Sequence, residues 1–221
     1  MLKKNGYLTL LTGKNKHMRN KKFDEQILQV PIFTDPRRRK RMWEEHVKGK
    51  TIDGGVIAEF GVYNGGSIGW FTKHYPDTQV FGFDSFEGLP EDWVVNNGVF
   101  LPKGHFNMGG NTPKFDLNDT CIFIKGWFED TLPGWVKEND SYLKILHIDS
   151  DIYSSCVTVL SNVKPMLRPG TFILFDEILT DEGEENEYKA FCEFCEDNPS
   201  FDFDVIARTT GPQAMVKVLT V

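Results

Sequence analysis

The chain alternates short apolar runs with longer polar, helix-like segments, and this alternation predicts an α/β fold. Each apolar run is followed by glycine or polar residues and then by a candidate helix. The runs that predict buried strands are 56–60, 79–83, 121–125, 145–148 and 171–175. Helical crossovers between such strands indicate a doubly wound sheet whose strands are mostly parallel.

The pattern changes at the end of the chain. Two further runs, 204–208 and 214–219, flank the turn Thr209-Thr210-Gly211-Pro212. Two strands joined by a short turn form an antiparallel β-hairpin. We therefore expect a seven-stranded, mostly parallel sheet that ends in this C-terminal antiparallel hairpin.

The segments before the first strand predict an arm attached to one domain. Residues 1–35 are polar and weakly periodic, which is typical of an N-terminal arm or lid, and the single domain then covers 36–221. A helix is predicted over 36–50, beginning at Pro36 and ending near Gly49. A second helix is predicted over 155–167, before a Pro-Gly pair.

Residues 90–119 carry few helix or strand signals and contain several glycines, asparagines and prolines. A loop of this length in a compact domain is usually functional. We expect it to form a lid over the binding site together with the N-terminal arm. A surface excursion without a role is the alternative.

Composition and charge exclude several classes of protein. A chain of 221 residues suits one well-packed core. Its net charge of −7 argues against general binding to nucleic acid. The basic run from Arg37 to Arg41 is either a solvated helix face or a patch for an anionic substrate or partner.

The sequence also predicts a cytoplasmic protein without membrane contact. No apolar stretch approaches the roughly 18 residues that span a bilayer, and the start of the chain lacks the apolar core of a signal peptide. Four cysteines suit a reducing compartment, and Cys192 and Cys195 share one stripe of a helix, which indicates core positions. Whether the chain forms a homo-oligomer is left open.

The strongest chemical signal is a glycine turn that ends the first strand and begins a helix. It runs from Glu59 and Phe60 through Gly61 and Gly65 to Ser67. Glycine lets backbone approach a ligand closely there. A pyrophosphate would meet the Glu59 carboxylate as a like charge, whereas a cationic amino group and a sulfonium would be attracted. The turn therefore favours S-adenosylmethionine over NAD or ATP.

The second strand supports a nucleoside ligand independently. It ends in Asp84, followed by Ser85, and an acidic residue at this strand end can accept hydrogen bonds from both ribose hydroxyls. The alternative for Asp84 is a helix cap.

Four motifs in this order resemble class I S-adenosylmethionine-dependent methyltransferases, and within them the macrocin and mycinamicin sugar O-methyltransferases. The resemblance covers about residues 40–221. The motifs are Glu59-x-Gly61-x-x-x-Gly65, Asp84-Ser85-Phe86-Glu87-Gly88-Leu89-Pro90, Gly126-Trp127-Phe128-Glu129-Asp130-Thr131-Leu132-Pro133 and Asp149-Ser150-Asp151-Ile152-Tyr153.

The resemblance implies a role for each part of the cofactor site. Glu59 and Gly61 would line the methionine end, Asp84 would hold the ribose, and Trp127 and Phe128 would lie against the adenine. Plain core packing is the alternative for the aromatic pair. The predicted cofactor-binding set is Glu59, Phe60, Gly61, Gly65, Ser67, Asp84, Ser85, Trp127, Phe128 and Asp149.

A second group consists of carboxylates that follow neighbouring strands, namely Asp149, Asp151, Asp176 and Glu177. Concentrated negative charge calls for a cation, and hard oxygen ligands suit Mg²⁺, Ca²⁺ or Mn²⁺. The resemblance implies a divalent ion, most simply Mg²⁺, on Asp149, Asp176 and Glu177. The chain departs from the family's Asp-Asp pair by carrying Asp176-Glu177. Helix-capping acids are the alternative.

These observations favour a cation-assisted O-methyltransferase for a hydroxyl of a small, sugar-like molecule. Asp149, Asp151 and His105 are the candidate catalytic bases, whereas His147 is as well explained by a structural role. The alternatives are a metal-independent methyltransferase with another acceptor, an NAD-dependent oxidoreductase and a non-catalytic binding module.

Overall fold

The computed structural model describes residues 19–35, 37–95, 99–114, 119–180 and 187–221. Ten strands are assigned within these ranges: β1 (Ile32–Phe33), β2 (Val56–Phe60), β3 (Val80–Asp84), β4 (Trp93–Val95), β5 (Val99–Leu101), β6 (Cys121–Lys125), β7 (Leu143–Ile148), β8 (Phe172–Phe175), β9 (Asp202–Thr209) and β10 (Ala214–Thr220). The helices there are α1 (Lys21–Gln26), α2 (Arg38–His46), α3 (Ile68–His74), α4 (Phe128–Glu138), α5 (Tyr153–Val163) with a 3₁₀ turn (Lys164–Met166), and α6 (Glu187–Asp197).

Eight of the strands form one sheet in the order β1-β9-β10-β8-β7-β2-β3-β6. Strands β2, β3, β6, β7 and β8 are parallel, and β10 runs antiparallel to both of its neighbours. The predicted doubly wound sheet with a C-terminal hairpin is therefore confirmed. The predicted count of seven strands is wrong by one, because β1 pairs with β9 through only two residues and a strand this short leaves no alternating pattern.

The central strands are apolar because helices cover both faces of the sheet. Every residue of β2, β7 and β8 is buried, as expected of parallel strands between two helix layers. One face packs against α1, α4, α5 and α6, and the other packs against α2 and α3. No helix in the described parts of the chain combines the length and apolarity that a bilayer crossing requires.

Part of the segment expected to be an arm is built into the main core. In α1, Phe23 and Ile27 at its C-cap are fully buried. The Gln26 side chain accepts a hydrogen bond from the backbone N–H of Val205 at 2.7 Å and donates one to the Asp204 side chain at 2.9 Å. It therefore contacts β9 a few residues ahead of the positions that pair with β1. Residues 1–18 lie outside the described chain.

The predicted helices differ from the structure at their ends, and the predicted loop contains two short strands. The helix predicted over 36–50 is α2, with Pro36 outside the described residues, and the helix predicted over 155–167 is α5 with its 3₁₀ turn. Within 90–119, β4 and β5 form a small antiparallel hairpin.

Trp93 of this hairpin packs against Leu89 and Ile152, which fixes the hairpin beside the C-terminal ends of the parallel strands of the main sheet. Cys192 is buried, and Cys195 is half-buried against the main core, as their shared stripe predicts.

Candidate active site

A cavity of about 420 Å³ opens where β2, β3, β6, β7 and β8 end. In doubly wound sheets this edge, at the carboxyl ends of the parallel strands, is where ligands bind. Ten predicted residues line the cavity: Gly61, Ser67, Asp84, Ser85, Trp127, Phe128, Asp149, Asp151, Asp176 and Glu177. The topology therefore collects side chains from five separate strand ends into one site.

Gly61 lets the end of β2 lie directly against the end of β7. Its φ is +91°, and a Cβ built on it would lie 1.8 Å from the backbone oxygen of Asp149. The neighbouring Phe60 oxygen accepts the Asp149 N–H at 2.9 Å. Only glycine fits both the left-handed conformation and this approach, so Gly61 sets the position of Asp149.

Asp84 fastens the glycine turn to the end of β3. Its Oδ2 accepts the backbone N–H groups of Val62 and Tyr63 at 2.9 and 2.7 Å, and its Oδ1 accepts that of Phe86 at 2.7 Å. A carboxylate offers about four acceptor sites, so the backbone already uses most of them. Asp84 still lines the cavity, so its carboxylate can accept a further hydrogen bond from that side.

Four predicted residues lie outside the cavity lining. Glu59 and Phe60 are fully buried, because they belong to the interior of β2, and Phe60 stacks on Phe83. Gly65 shapes the turn with a φ of +81°. His105 is exposed, its ring contacts Phe106, and its backbone oxygen accepts the Leu89 N–H.

Aromatic and apolar side chains form the wall opposite the carboxylates. Trp127 and Phe128 follow β6, and Phe128 packs edge-on against Phe60 with ring centroids 5.5 Å apart. The loop over 90–119 contributes Pro90, Trp93 and Phe106 to the lining. A flat apolar ligand such as a nucleobase suits such a wall.

A guanidinium lies between two of the predicted carboxylates. Arg39 Nη1 is 2.6 Å from Asp176 Oδ2 and 3.0 Å from Asp149 Oδ2, and Arg39 Nη2 donates to Ser67 Oγ at 3.0 Å. The arginine guanidinium also lies 5.8 Å from the Trp43 ring. Arg39 thus connects α2 to the ends of β7 and β8 and to the start of α3.

A buried Glu–His pair lies beneath this cluster. Glu59 and His147 occupy paired positions on β2 and β7, and His147 Nδ1 lies 3.3 Å from Glu59 Oε2. Burial raises the pKa of Glu59, and His147 only partly offsets that effect. Burial alone would lower the pKa of His147, but the carboxylates of Asp176 and Glu59 outweigh it and raise the pKa to about 9. The pair therefore holds a proton inside the sheet.

The two carboxylates beside Arg39 differ in their pKa. For Asp149, burial followed by the charge of Asp176 raises the pKa above its ordinary value. For Asp176, burial also favours the neutral acid, but His147 and Arg39 overcome that effect and lower its pKa. Asp176 is therefore the ionised partner of Arg39.

Two acids of the predicted metal set, Asp149 and Asp176, lie close together beside His147, which was not part of that set. One possible ligand atom from each of these three residues lies within 4.8 Å of the other two. Glu177 lines the same cavity, and its backbone N–H donates to Glu187 Oε2 at 3.0 Å. Glu187 is fully buried, and burial followed by the charge of Glu177 raises its pKa well above the ordinary range.

The sequence did not predict Arg39 as a residue of the site or Glu187 as the buried acceptor behind Glu177. Arg39 is one of five consecutive basic residues, and it precedes the buried Met42 and Trp43 by three and four residues. That spacing places Arg39 on the inward face of α2, and it could have distinguished Arg39 from the other basic residues. No sequence signal distinguishes Glu187, since it is one of several acidic residues around the start of α6.

Comparisons with known proteins identify a family whose profile matches most of the chain. The macrocin O-methyltransferase (TylF) family profile matches residues 37–199. Among curated relatives, the 8-demethyl-8-(2,3-dimethoxy-α-L-rhamnosyl)-tetracenomycin-C 4′-O-methyltransferase of Streptomyces olivaceus is 31% identical over 144 residues, 58% of this chain and 54% of that protein. The mycinamicin III 3″-O-methyltransferase of Micromonospora griseorubida is 31% identical over 142 residues, 56% of this chain and 55% of that protein. The chain thus spans about half the length of these relatives.

Solved structures show the same fold. The O-methyltransferase NovP superposes with a TM-score of 0.58 at 21% identity, covering 82% of this chain and 78% of that one. The calicheamicin methyltransferase CalS11 superposes with a TM-score of 0.57 at 18% identity, covering 96% and 90%. Since the family profile spans more than half of the chain and includes the glycine turn, Asp84, Asp149 and Asp176, the protein belongs to the macrocin O-methyltransferase family.

Proposed function

We propose that the protein is an S-adenosylmethionine-dependent O-methyltransferase that acts on a hydroxyl of a small, sugar-like molecule with the help of a divalent cation. The observation that carries this proposal is that the glycine turn, Asp84, Asp149 and Asp176 all line one cavity. Family membership supports the reaction class, and a rhamnosyl group in the name of the tetracenomycin relative supports a sugar-like acceptor.

The charge of the cavity supports S-adenosylmethionine rather than a nucleotide phosphate. Asp84, Asp149, Asp151, Asp176 and Glu177 line the cavity together with the single arginine Arg39. An excess of carboxylates attracts a sulfonium and an ammonium group and repels a pyrophosphate. Glu59 does not contribute to this charge, because its carboxylate is fully buried and lies against His147 outside the cavity lining.

When bound, S-adenosylmethionine supplies an electrophilic methyl group on a sulfonium. The turn after Gly61 and the carboxylate of Asp84 would hold its methionine and ribose parts, and Trp127 would lie against the adenine. Asp149 and Asp151 line the cavity beyond the turn, where either can accept the proton that the acceptor hydroxyl loses. The lid formed by the loop over 90–119 would exclude water from the reacting atoms.

The cavity carboxylates are chemically suitable ligands for a divalent cation. Asp176 Oδ1 is buried and has no hydrogen-bond partner among the residues that the structure describes. Carboxylate oxygens are the ligands that Mg²⁺ prefers, and Asp149, Asp176 and Glu177 would supply them. When bound, such an ion would lower the pKa of an acceptor hydroxyl.

A metal-independent methyltransferase is the second candidate, and Arg39 is the observation that favours it. Its guanidinium already gives Asp149 and Asp176 a positive partner. Transfer to a glycoside acceptor in the presence and absence of EDTA separates the two candidates. Loss of transfer in EDTA with intact cofactor binding is expected from the proposal, whereas full activity in EDTA would favour the second candidate.

Isothermal titration with S-adenosylmethionine, its demethylated product S-adenosylhomocysteine, NAD and ATP tests the cofactor directly. We expect micromolar-range binding, about −8 kcal/mol, for the first two ligands and none for the others. Preferential binding of NAD would contradict the proposed function.

A further inference from the structure

We propose that Arg39 and a divalent cation are alternative partners of Asp149 and Asp176, so that Arg39 must leave these carboxylates before a cation can bind them. This inference rests on the cation site of the proposed function. It assigns to Arg39 a role in controlling access to that site. It also predicts that the arginine and the ion are never bound there together.

The distances leave room for one partner between the two carboxylates. Arg39 Nη1 contacts Oδ2 of Asp176 at 2.6 Å and Oδ2 of Asp149 at 3.0 Å. An ion that ligated both of these oxygens would lie about 2.0–2.6 Å from each of them. It would therefore occupy the space that the nitrogen fills, and two positive groups cannot share that space.

Arg39 is held firmly enough for this competition to matter. Its second nitrogen donates to Ser67 at 3.0 Å, its guanidinium lies over Trp43, and 29% of its side chain is exposed. An ion must displace several contacts at once, including a charge-assisted pair with the largely buried Asp176. Such contacts are among the stronger ones in proteins.

The cluster is nevertheless incompletely satisfied by the arginine. Only 9% of the Asp176 side chain is exposed, yet its Oδ1 has no hydrogen-bond partner within the described chain, and neither does His147 Nε2. These two atoms lie 3.9 Å apart. Buried polar atoms are normally hydrogen-bonded, so Arg39 satisfies only Oδ2 of Asp176, whereas a cation in its place can be bound by one or both oxygens of a carboxylate.

The exchange requires movement of a side chain and not of a helix. Met42 and Trp43, on the same face of α2, are 0% and 1% exposed and hold the helix against the sheet. Arg39 lies in the first turn of α2 beside the cavity. Rotation of its long side chain towards the cavity mouth would free both carboxylates while the fold stays unchanged.

Titration with Mn²⁺ alone, followed by calorimetry and by the electron paramagnetic resonance signal of the free ion, tests the inference. We expect Arg39→Met to bind Mn²⁺ at least about tenfold more tightly than the unmodified protein, because the competing charge is gone. Arg38→Met is the matched control, because Arg38 is the neighbouring arginine and its side chain contacts Thr210 instead of the carboxylates. The Mn²⁺ affinity of this variant should differ from that of the unmodified protein by less than about twofold. Adding Asp176→Asn to Arg39→Met should abolish the gain.

Arg39→Lys provides a second variant if Arg39→Met does not fold. A lysine keeps the charge but lacks the planar fork that reaches both carboxylates and Ser67, so its Mn²⁺ affinity should lie between the other two. Equal affinity in all proteins, weaker binding by both Arg39 variants, or no Mn²⁺ binding by any of them would overturn the inference.

Titration of the same samples with S-adenosylhomocysteine separates this outcome from the proposed function. Binding of S-adenosylhomocysteine without the expected Mn²⁺ pattern would refute the competition and leave the methyltransferase proposal standing. The expected Mn²⁺ pattern without binding of S-adenosylhomocysteine would support the competition at the carboxylates and refute the methyltransferase proposal.

Discussion

Replacing Gly61 with alanine tests whether the contact between β2 and β7 builds the site. The new Cβ would lie 1.8 Å from the Asp149 backbone oxygen, and the residue would keep a φ of +91°. A left-handed conformation costs a non-glycine residue roughly 1–2 kcal/mol. Forcing extra atoms into a packed contact costs about 1–3 kcal/mol, so we expect Gly61→Ala to lower the free energy of unfolding by about 2–5 kcal/mol.

Gly66→Ala is the matched control because Gly66 belongs to the same turn. Its Cβ would meet only the Asn64 side-chain oxygen, at an ordinary distance of 3.5 Å, and its φ lies outside the left-handed region. For a chain of this size the Gly61 variant should melt roughly 4–20 °C lower, measured by differential scanning calorimetry, whereas Gly66→Ala should differ little. Equal melting temperatures for the two variants would show that this contact does not fix the turn.

Three further predictions address the acids and the loop. Burial raises the pKa of Glu187 above its ordinary value of 4.5, so this residue stabilises the fold most below pH 4.5 and progressively less as the pH rises. The melting temperature of Glu187→Gln should therefore increase relative to that of the unmodified protein between pH 5 and pH 8. A difference in melting temperature that stays constant over this range would contradict the prediction. Asp84→Ala should weaken binding of S-adenosylhomocysteine by about 1–3 kcal/mol in a calorimetric titration, because backbone and ligand donors lose their acceptor; unchanged affinity would remove Asp84 from the cofactor site. Hydrogen exchange over 90–119 should slow when cofactor and acceptor are both present, and unchanged protection there would argue against a lid.

The sequence predicted those parts of the fold that depend on long apolar runs and on topology. The limits of β2 and β6 were predicted correctly because their apolar runs are bounded by polar or glycine residues. Asp84, Asp149 and Asp176 could be placed together because parallel strands present their carboxyl ends at one edge of the sheet. No knowledge of side-chain conformation was needed for either result.

The remaining features depend on register and helix phase, which local patterns do not determine. Glu59 faces His147 because β2 and β7 pair in a particular register, and two strands separated by long crossovers do not reveal that register in sequence. The direction of Arg39 follows from the phase of α2 relative to Met42 and Trp43. The strand β1 is too short to produce a pattern of its own.

The way in which α1 and β1 meet β9 has a consequence for association between molecules. An edge strand with free backbone groups is a template for strand addition by another chain. Here the end of β9 is paired with Ile32 and Phe33, and the Gln26 amide occupies the backbone N–H of Val205 further back along the strand. The chain therefore covers this edge with its own residues, and removal of both α1 and β1 would expose the backbone of β9 to pairing with another molecule and to aggregation.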